Sequence, residues 1–174
     1  DIDVSLTDAM VIYYLYSPVD ARDVPYVNDP RPRVKETKIG GVTTHKEYFA
    51  YFVNTDGEYV EIHEQCQLET AEYGNATNAR TERIYYASDA DLASAGRLKS
   101  IKFPNGKLDT YTYAYGNYLP NAIPQNATFV PASNGLALRS TIVHGTWDNP
   151  AGIAFKSTKE ECISDCYGNQ VMKR

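Results

Sequence analysis

Three sets of residues in this chain could carry chemistry, and their spacing restricts what that chemistry would be. His63-x-x-Cys66 and Cys162-x-x-x-Cys166 together offer four soft metal ligands. A structural zinc site pairs its ligands more tightly, usually around turn glycines. Here His63 and Cys66 fall at odd separation in a strand, which directs them to opposite faces. The reading is of buried or weakly reactive thiols. Asn54-Thr55-Asp56-Gly57-Glu58 has the look of a calcium loop, but aligning Gly57 with the loop's sixth position puts Phe52 first and His63 twelfth. Carboxylates are required there, so Asp56-Gly57 reads as a tight turn.

Nucleophilic catalysis finds no support, because no Gly-x-Ser-x-Gly elbow and no local signature surrounds any cysteine or serine. Glu47, Glu58, Glu61 and Glu64 sit on the facing arms of one expected hairpin and could bracket a sugar as a glycosidase pair. Charges on the outer face of a strand more often keep it soluble. Trp147 with Tyr111, Tyr113, Tyr115 and Tyr118 could form a platform on which the apolar face of a pyranose stacks. Tyrosines at period two equally well build the cross-strand ladder of a sheet, and that reading is preferred. No catalytic residue, cofactor or metal ligand is assigned.

The elements that would position these residues are strands. Gly96 to Tyr113 describes one hairpin in order: Leu98 and Ile101 on the outgoing strand, Pro104 closing it, Asn105-Gly106 as a two-residue turn with φ > 0, and Tyr111 and Tyr113 on one face of the return. A second hairpin runs from Val42 to Val53 and from Glu58 to Gln67 around Asp56-Gly57. Its first arm is apolar on both faces, as in a central strand. Its second arm alternates Tyr59, Glu61, His63 against Val60, Ile62, Glu64, so one face meets water. Residues 1 to 16 read as one or two strands, with Ile2, Val4 and Leu6 on one parity and Val11 to Tyr16 short enough for a buried strand.

Ser17 to Arg33, with four prolines, reads as a surface connection. Thr81 to Ala87 and Leu136 to Trp147 read as strands, and Ser88 to Ala95 as a short helical turn headed by Asp89 or Asp91. Tyr115 to Asn134 reads as mostly irregular, and Ile153 to Arg174 as a short strand and a turn at Gly168-Asn169. Tyr-Gly-Asn recurs at Tyr73, Tyr115 and Tyr167 without strict period, which fits either a degenerate hairpin repeat or a common turn dipeptide.

The Gly-Arg-Leu opening at Gly96, the Pro-Asn-Gly turn and the Thr-x-Tyr-x-Tyr return together resemble the YD repeat of Rhs-type proteins. Asp165-Cys166-Tyr167-Gly168-Asn169-Gln170-Val171 is similar to the start of a further unit. Tyr113-Ala114 and Tyr86-Ala87 replace the family's Tyr-Asp pair, as in a divergent member. The resemblance implies a bacterial extracellular or cell-envelope protein whose hairpins stack edge to edge into a shell, with neighbouring repeats of the same polypeptide as partners. Residues 96–118 would be one unit and 165–174 the start of another, leaving Gln170 to Arg174 frayed or paired with a neighbouring molecule. The family's autoproteolytic motif is missing, so the implied role is structural or adhesive, without catalysis.

Composition agrees with a single all-β domain of successive antiparallel hairpins, a curved sheet or shell segment with Pro-rich loops, over residues 1–174. Tyrosine is common, at 15 residues against 5 phenylalanines and 1 tryptophan, which favours strands with half-buried faces. A net charge of −5 argues against nucleic acid or an anionic membrane surface. No apolar run approaches the ~18 residues of a membrane span. Three cysteines are an odd number and do not suggest a disulfide framework. An independent carbohydrate- or protein-binding module is the alternative function, and a small hydrolase the third.

Overall fold

The computed structural model describes residues 9–23, 30–123, 126–147 and 157–174. Every regular element there is a strand, joined to its partners by antiparallel pairing. The described residues up to Glu82 form one compact unit and those from Arg83 a second, with strand β5 (Ala79–Tyr85) running across the boundary. No helix of the described residues is long and apolar enough to cross a membrane. The expected alternation over Ile2, Val4 and Leu6, and the start of the last segment at Ile153, lie outside the described residues.

In the first unit β1 (Met10–Leu15), β2 (Val34–Ile39), β3 (Val42–Val53) and β4 (Tyr59–Gln65) pair in chain order. The β2–β3 connection is the two residues Gly40-Gly41, both at positive φ, as a tight hairpin with the native twist requires. β2 was not foreseen, because Val34-Lys35-Glu36-Thr37-Lys38-Ile39 carries three charges among six residues. β3 lies between β2 and β4, as its two apolar faces require. It buries Tyr48, Ala50 and Phe52, and β4 adds Val60 and Ile62 to the same core. Phe49, Tyr51, Tyr59, Glu61 and His63 form the half-exposed opposite face.

Two expectations for this unit are corrected. The run Val11 to Tyr16 is exposed throughout, because β1 is paired on one side only among the described strands and leaves both faces open. An uncharged apolar run reads the same in either setting. The proline-rich connection is not wholly at the surface either: Asp23 and Arg33 are only 3% and 2% exposed. The Arg33 guanidinium is held by both Asp23 oxygens and by the Arg31 carbonyl, so the buried charges are paired as burial demands.

In the second unit β6 (Leu98–Lys102) pairs with β7 (Lys107–Leu119), β7 with β9 (Ala137–Trp147), β9 with β10 (Thr158–Ser164), and β10 with β11 (Gln170–Lys173). The short β8 (Thr128–Pro131) lies along the end of β7. Tyr115 to Asn134 is thus more regular than expected. Gly116 is the reason: a Cβ there would stand 2.4 Å from the Val130 carbonyl and 2.5 Å from the Phe129 ring. Its absence lets β8 close onto β7, and Pro131 ends that short strand, where Pro is tolerated. Behind this contact Ala127, Ala137, Ile163 and Met172 are buried, with Tyr118 and Phe129 packed on them.

Three hairpin tips share one geometry. At Asn54–Glu58, Phe103–Lys107 and Asp165–Asn169 the first residue's N–H donates to the fifth residue's carbonyl, and the glycine N–H donates back to the first residue's carbonyl. Gly57, Gly106 and Gly168 have positive φ, and among the described residues no other residue type does. The expected two-residue turn at Asn105-Gly106 is therefore a three-residue loop, with Asn105 at negative φ. A two-residue loop would need the Pro104 N–H to close it, and proline has none.

Two of the three Tyr-Gly-Asn triplets are turns, but Tyr115-Gly116-Asn117 is mid-strand. Ser88 to Ala95 holds successive hydrogen-bonded turns rather than a helix: the Ala90 N–H donates to the Ala87 carbonyl, Asp91 Oδ1 accepts the Ala93 N–H, and the Asp91 carbonyl accepts those of Ser94 and Ala95. Gly96 at φ 68 ends it. The chain end is also corrected. Gln170–Lys173 is the return strand of a closed hairpin, and Arg174 exchanges both backbone bonds with Glu161 while its guanidinium grips the Glu161 carboxylate at 2.8 Å.

Candidate functional site

The four glutamates of the β3–β4 hairpin do not act as a group. Glu64 is buried on the core face, 1% exposed, where it accepts hydrogen bonds from the Gly74 N–H (2.8 Å), Asn78 Nδ2 (3.0 Å) and Arg80 Nη1 (2.9 Å). It pins the loop after β4. Glu58 is at the hairpin tip, bonded by Asn54. Glu47 and Glu61 do share the outer face, but Glu47 lies opposite Gln65, so Glu61 is four strand residues, about 13 Å, away. Glycosidase carboxylates stand about 5–9.5 Å apart.

Glu47 instead gathers a cluster that sequence reasoning missed. His45 Nε2 and His63 Nε2 lie 2.8 Å from different oxygens of its carboxylate, and Lys35 Nζ lies at 3.2 Å. Burial pushes the Glu47 carboxyl up, but these three hydrogen bonds outweigh it and hold the group below its ordinary value. An ionised carboxylate only accepts, so both Nε2 atoms carry protons. The His63 ring stacks on Phe49 at 4.8 Å. The signal was available, since His45 and Glu47 are two apart on β3 and His63 faces Phe49 across the hairpin. With both Nε2 atoms spent on separate oxygens, the arrangement ties β2, β3 and β4 together; among the described residues no three His, Cys, Asp or Glu side chains converge to hold a metal.

The cysteines are dispersed and unpaired. Cys66 follows β4 and donates to the Ala71 carbonyl at 3.6 Å, with burial pushing its thiol up. Cys162 is half-buried on β10 and Cys166 is exposed at the hairpin tip. In the second unit Asp109 is buried beneath a bulge in β9 where Gly145 has positive φ. Its carboxylate accepts from His144 Nδ1 (2.8 Å) and the Gly145 N–H (3.0 Å). Burial raises the Asp109 carboxyl, and the bonds from His144, Gly145 and Lys107 more than reverse that.

The five aromatics proposed as a platform are not one surface. Trp147 ends β9, and its side chain lies outside the described residues. Tyr111, Tyr113 and Tyr115 share one face of β7, whereas Tyr118 is on the other and belongs to the core around Ile163. Tyr113 is committed to packing: its hydroxyl donates to the Leu98 carbonyl at 2.9 Å, its ring meets Tyr86 edge-on, and the Arg97 guanidinium lies 5.5 Å above it.

A cleft of about 510 Å³ opens beside this face, lined by Tyr113, Ala114, Tyr115, the Asp91-Leu92-Ala93 turn and Pro131-Ala132-Ser133. Leu92, 79% exposed, and Ser133 come from loops with no periodic pattern, so no spacing signal marks them in the sequence. Comparison of the chain with models of protein families, with curated proteins and with solved structures finds no match.

Proposed function

We propose that this chain is a non-catalytic structural or adhesive segment of a secreted or cell-envelope protein of the YD-repeat type, assembling with neighbouring hairpins along its sheet edge. The observation that carries the reading is β1. Six consecutive uncharged residues, all exposed, line an edge strand paired only with β2 among the described residues. A free apolar edge is a template for strand addition and is normally blunted by charge, proline or a bulge; Met10–Leu15 carries none of these. The shared geometry of three hairpin tips supports serial hairpins as the building unit.

Sedimentation velocity on the chain and on an Ile12→Lys/Tyr14→Lys variant tests this. Both positions are exposed, so the lysines leave the fold intact. The chain should associate as its concentration rises, and the variant should remain monomeric. A chain that stays monomeric, or that associates equally well with both lysines present, overturns the reading.

A further inference from the structure

We propose that the cleft beside β7 binds a neutral saccharide, with Tyr115 and Leu92 as its apolar contacts and Asp91 and Ser133 as its hydrogen-bonding groups. The inference uses no part of β1 and does not rest on the assembly reading above. The cleft's volume of about 510 Å³ is that of a small-ligand site. Its lining divides into flat or exposed apolar surface and polar groups with capacity to spare. Among the described residues the Tyr115 and Ser133 hydroxyls make no hydrogen bond, and Asp91 uses only Oδ1, for the Ala93 N–H.

That mixture selects the ligand. A pyranose presents a C–H face to an aromatic ring or a leucine, and hydroxyl donors at its rim to a carboxylate and a serine. A wholly apolar ligand would cover Asp91 Oδ2 and offer it no donor, which is costly. An anionic sugar or phosphate would meet a carboxylate and no lining cation in a chain of charge −5. Tyr113 serves as a wall, since its hydroxyl and ring are already engaged. The site is pre-formed: Ala132 N–H donates to the Tyr115 carbonyl and Gly135 N–H to the Ala132 carbonyl, both at 3.0 Å. Little ordering would remain to oppose binding.

The test is titration of the isotope-labelled chain with cellobiose, maltose, lactose and diacetylchitobiose at millimolar concentration, following backbone amide resonances. At least one sugar should shift the resonances of residues 91–93 and 132–133 in a saturable way. Tyr115→Ala, Asp91→Asn and Leu92→Asp should each weaken it about tenfold, the worth of one stacking or charge-assisted contact. Leu92 is exposed, so its variant keeps the fold even if Tyr115→Ala does not, and Asp91→Asn retains the turn's acceptor. No saturable shift with any of the four sugars, shifts confined elsewhere, or unchanged affinity in Leu92→Asp overturns the proposal.

Discussion

Replacing Glu64 by alanine should destabilise the first unit by about 3 kcal/mol, at the lower end of the ~3–5 kcal/mol typical when one partner of a buried ionic network is removed. The magnitude follows from what the carboxylate leaves behind. The Gly74 N–H loses its acceptor, but Gly74 is itself exposed, so this loss is about 1 kcal/mol. The space left by the Glu64 side chain, 1% exposed, adds about 1–2 kcal/mol. Asn78 Nδ2 retains the Glu72 carbonyl at 2.9 Å and is not orphaned. Arg80 retains Glu82 at 3.2 Å and is 37% exposed, so water takes up part of its lost partner and its share is small. For a chain of this length about 3 kcal/mol corresponds to a fall in Tm of roughly 6–12 °C. Differential scanning calorimetry at neutral pH is the assay, with Arg80→Ala as the companion, expected to cost less than half as much. A Glu64→Ala loss below about 1 kcal/mol would refute the view that this carboxylate holds the loop from Gln67 to Asn78 in place.

Gly116→Ala should lower stability by about 2–3 kcal/mol through overpacking against Val130 and Phe129; an unchanged urea midpoint would contradict the close approach of β8. Gly106→Val, at a φ of 83°, should cost about 1–3 kcal/mol from backbone strain, read by the same urea titration. Acid should unfold the chain in a definite direction. Lys159 and Arg174 hold the Glu161 carboxyl below its ordinary value, and Glu47 and Asp109 are lowered as described. Because these groups are more acidic in the folded chain, the unfolded chain takes up protons first, so their contribution, complete above about pH 5, declines through the ordinary range near 4 and is gone below the folded values. Circular dichroism from pH 7 downward checks this; stability that rises as the pH falls from 5 to 3 would contradict it.

The strands of the hairpins were legible because alternation and turn chemistry agree there, as in Tyr59–Gln65 against Val42–Val53. The faces were legible for the same reason: Tyr48, Ala50 and Phe52 could be placed opposite Phe49 and Tyr51 from parity alone. Turn type was not, because Asn-Gly suggests a two-residue loop until the missing donor of Pro104 is considered. Burial of β1 was misjudged, since apolarity states what a strand could cover and not whether anything covers it. The role of Gly116 was hidden because a glycine beside an asparagine suggests a turn, whereas here it makes room for a neighbouring strand. Of the site, Tyr113 and Tyr115 could be found by parity, but Asp91, Leu92 and Ser133 reach the cleft through loop geometry that no periodicity encodes.

The connection between β1 and β2 has a kinetic consequence. β2 and β3 are joined by two glycines, and β3 and β4 by a short loop, so their ladders can zip locally from the turn. β1 must instead close the long proline-rich segment from Tyr16 to Arg33 before any of its ladder bonds form, and closure entropy grows with loop length. Non-local pairing of this kind is the slow step in β-protein folding. β1 should therefore dock after the β2–β3–β4 meander is in place. During that interval the outer edge of β2, with Lys35, Glu36 and Lys38, is what the nascent sheet shows to other chains, and those charges guard it against premature pairing until the apolar strand arrives.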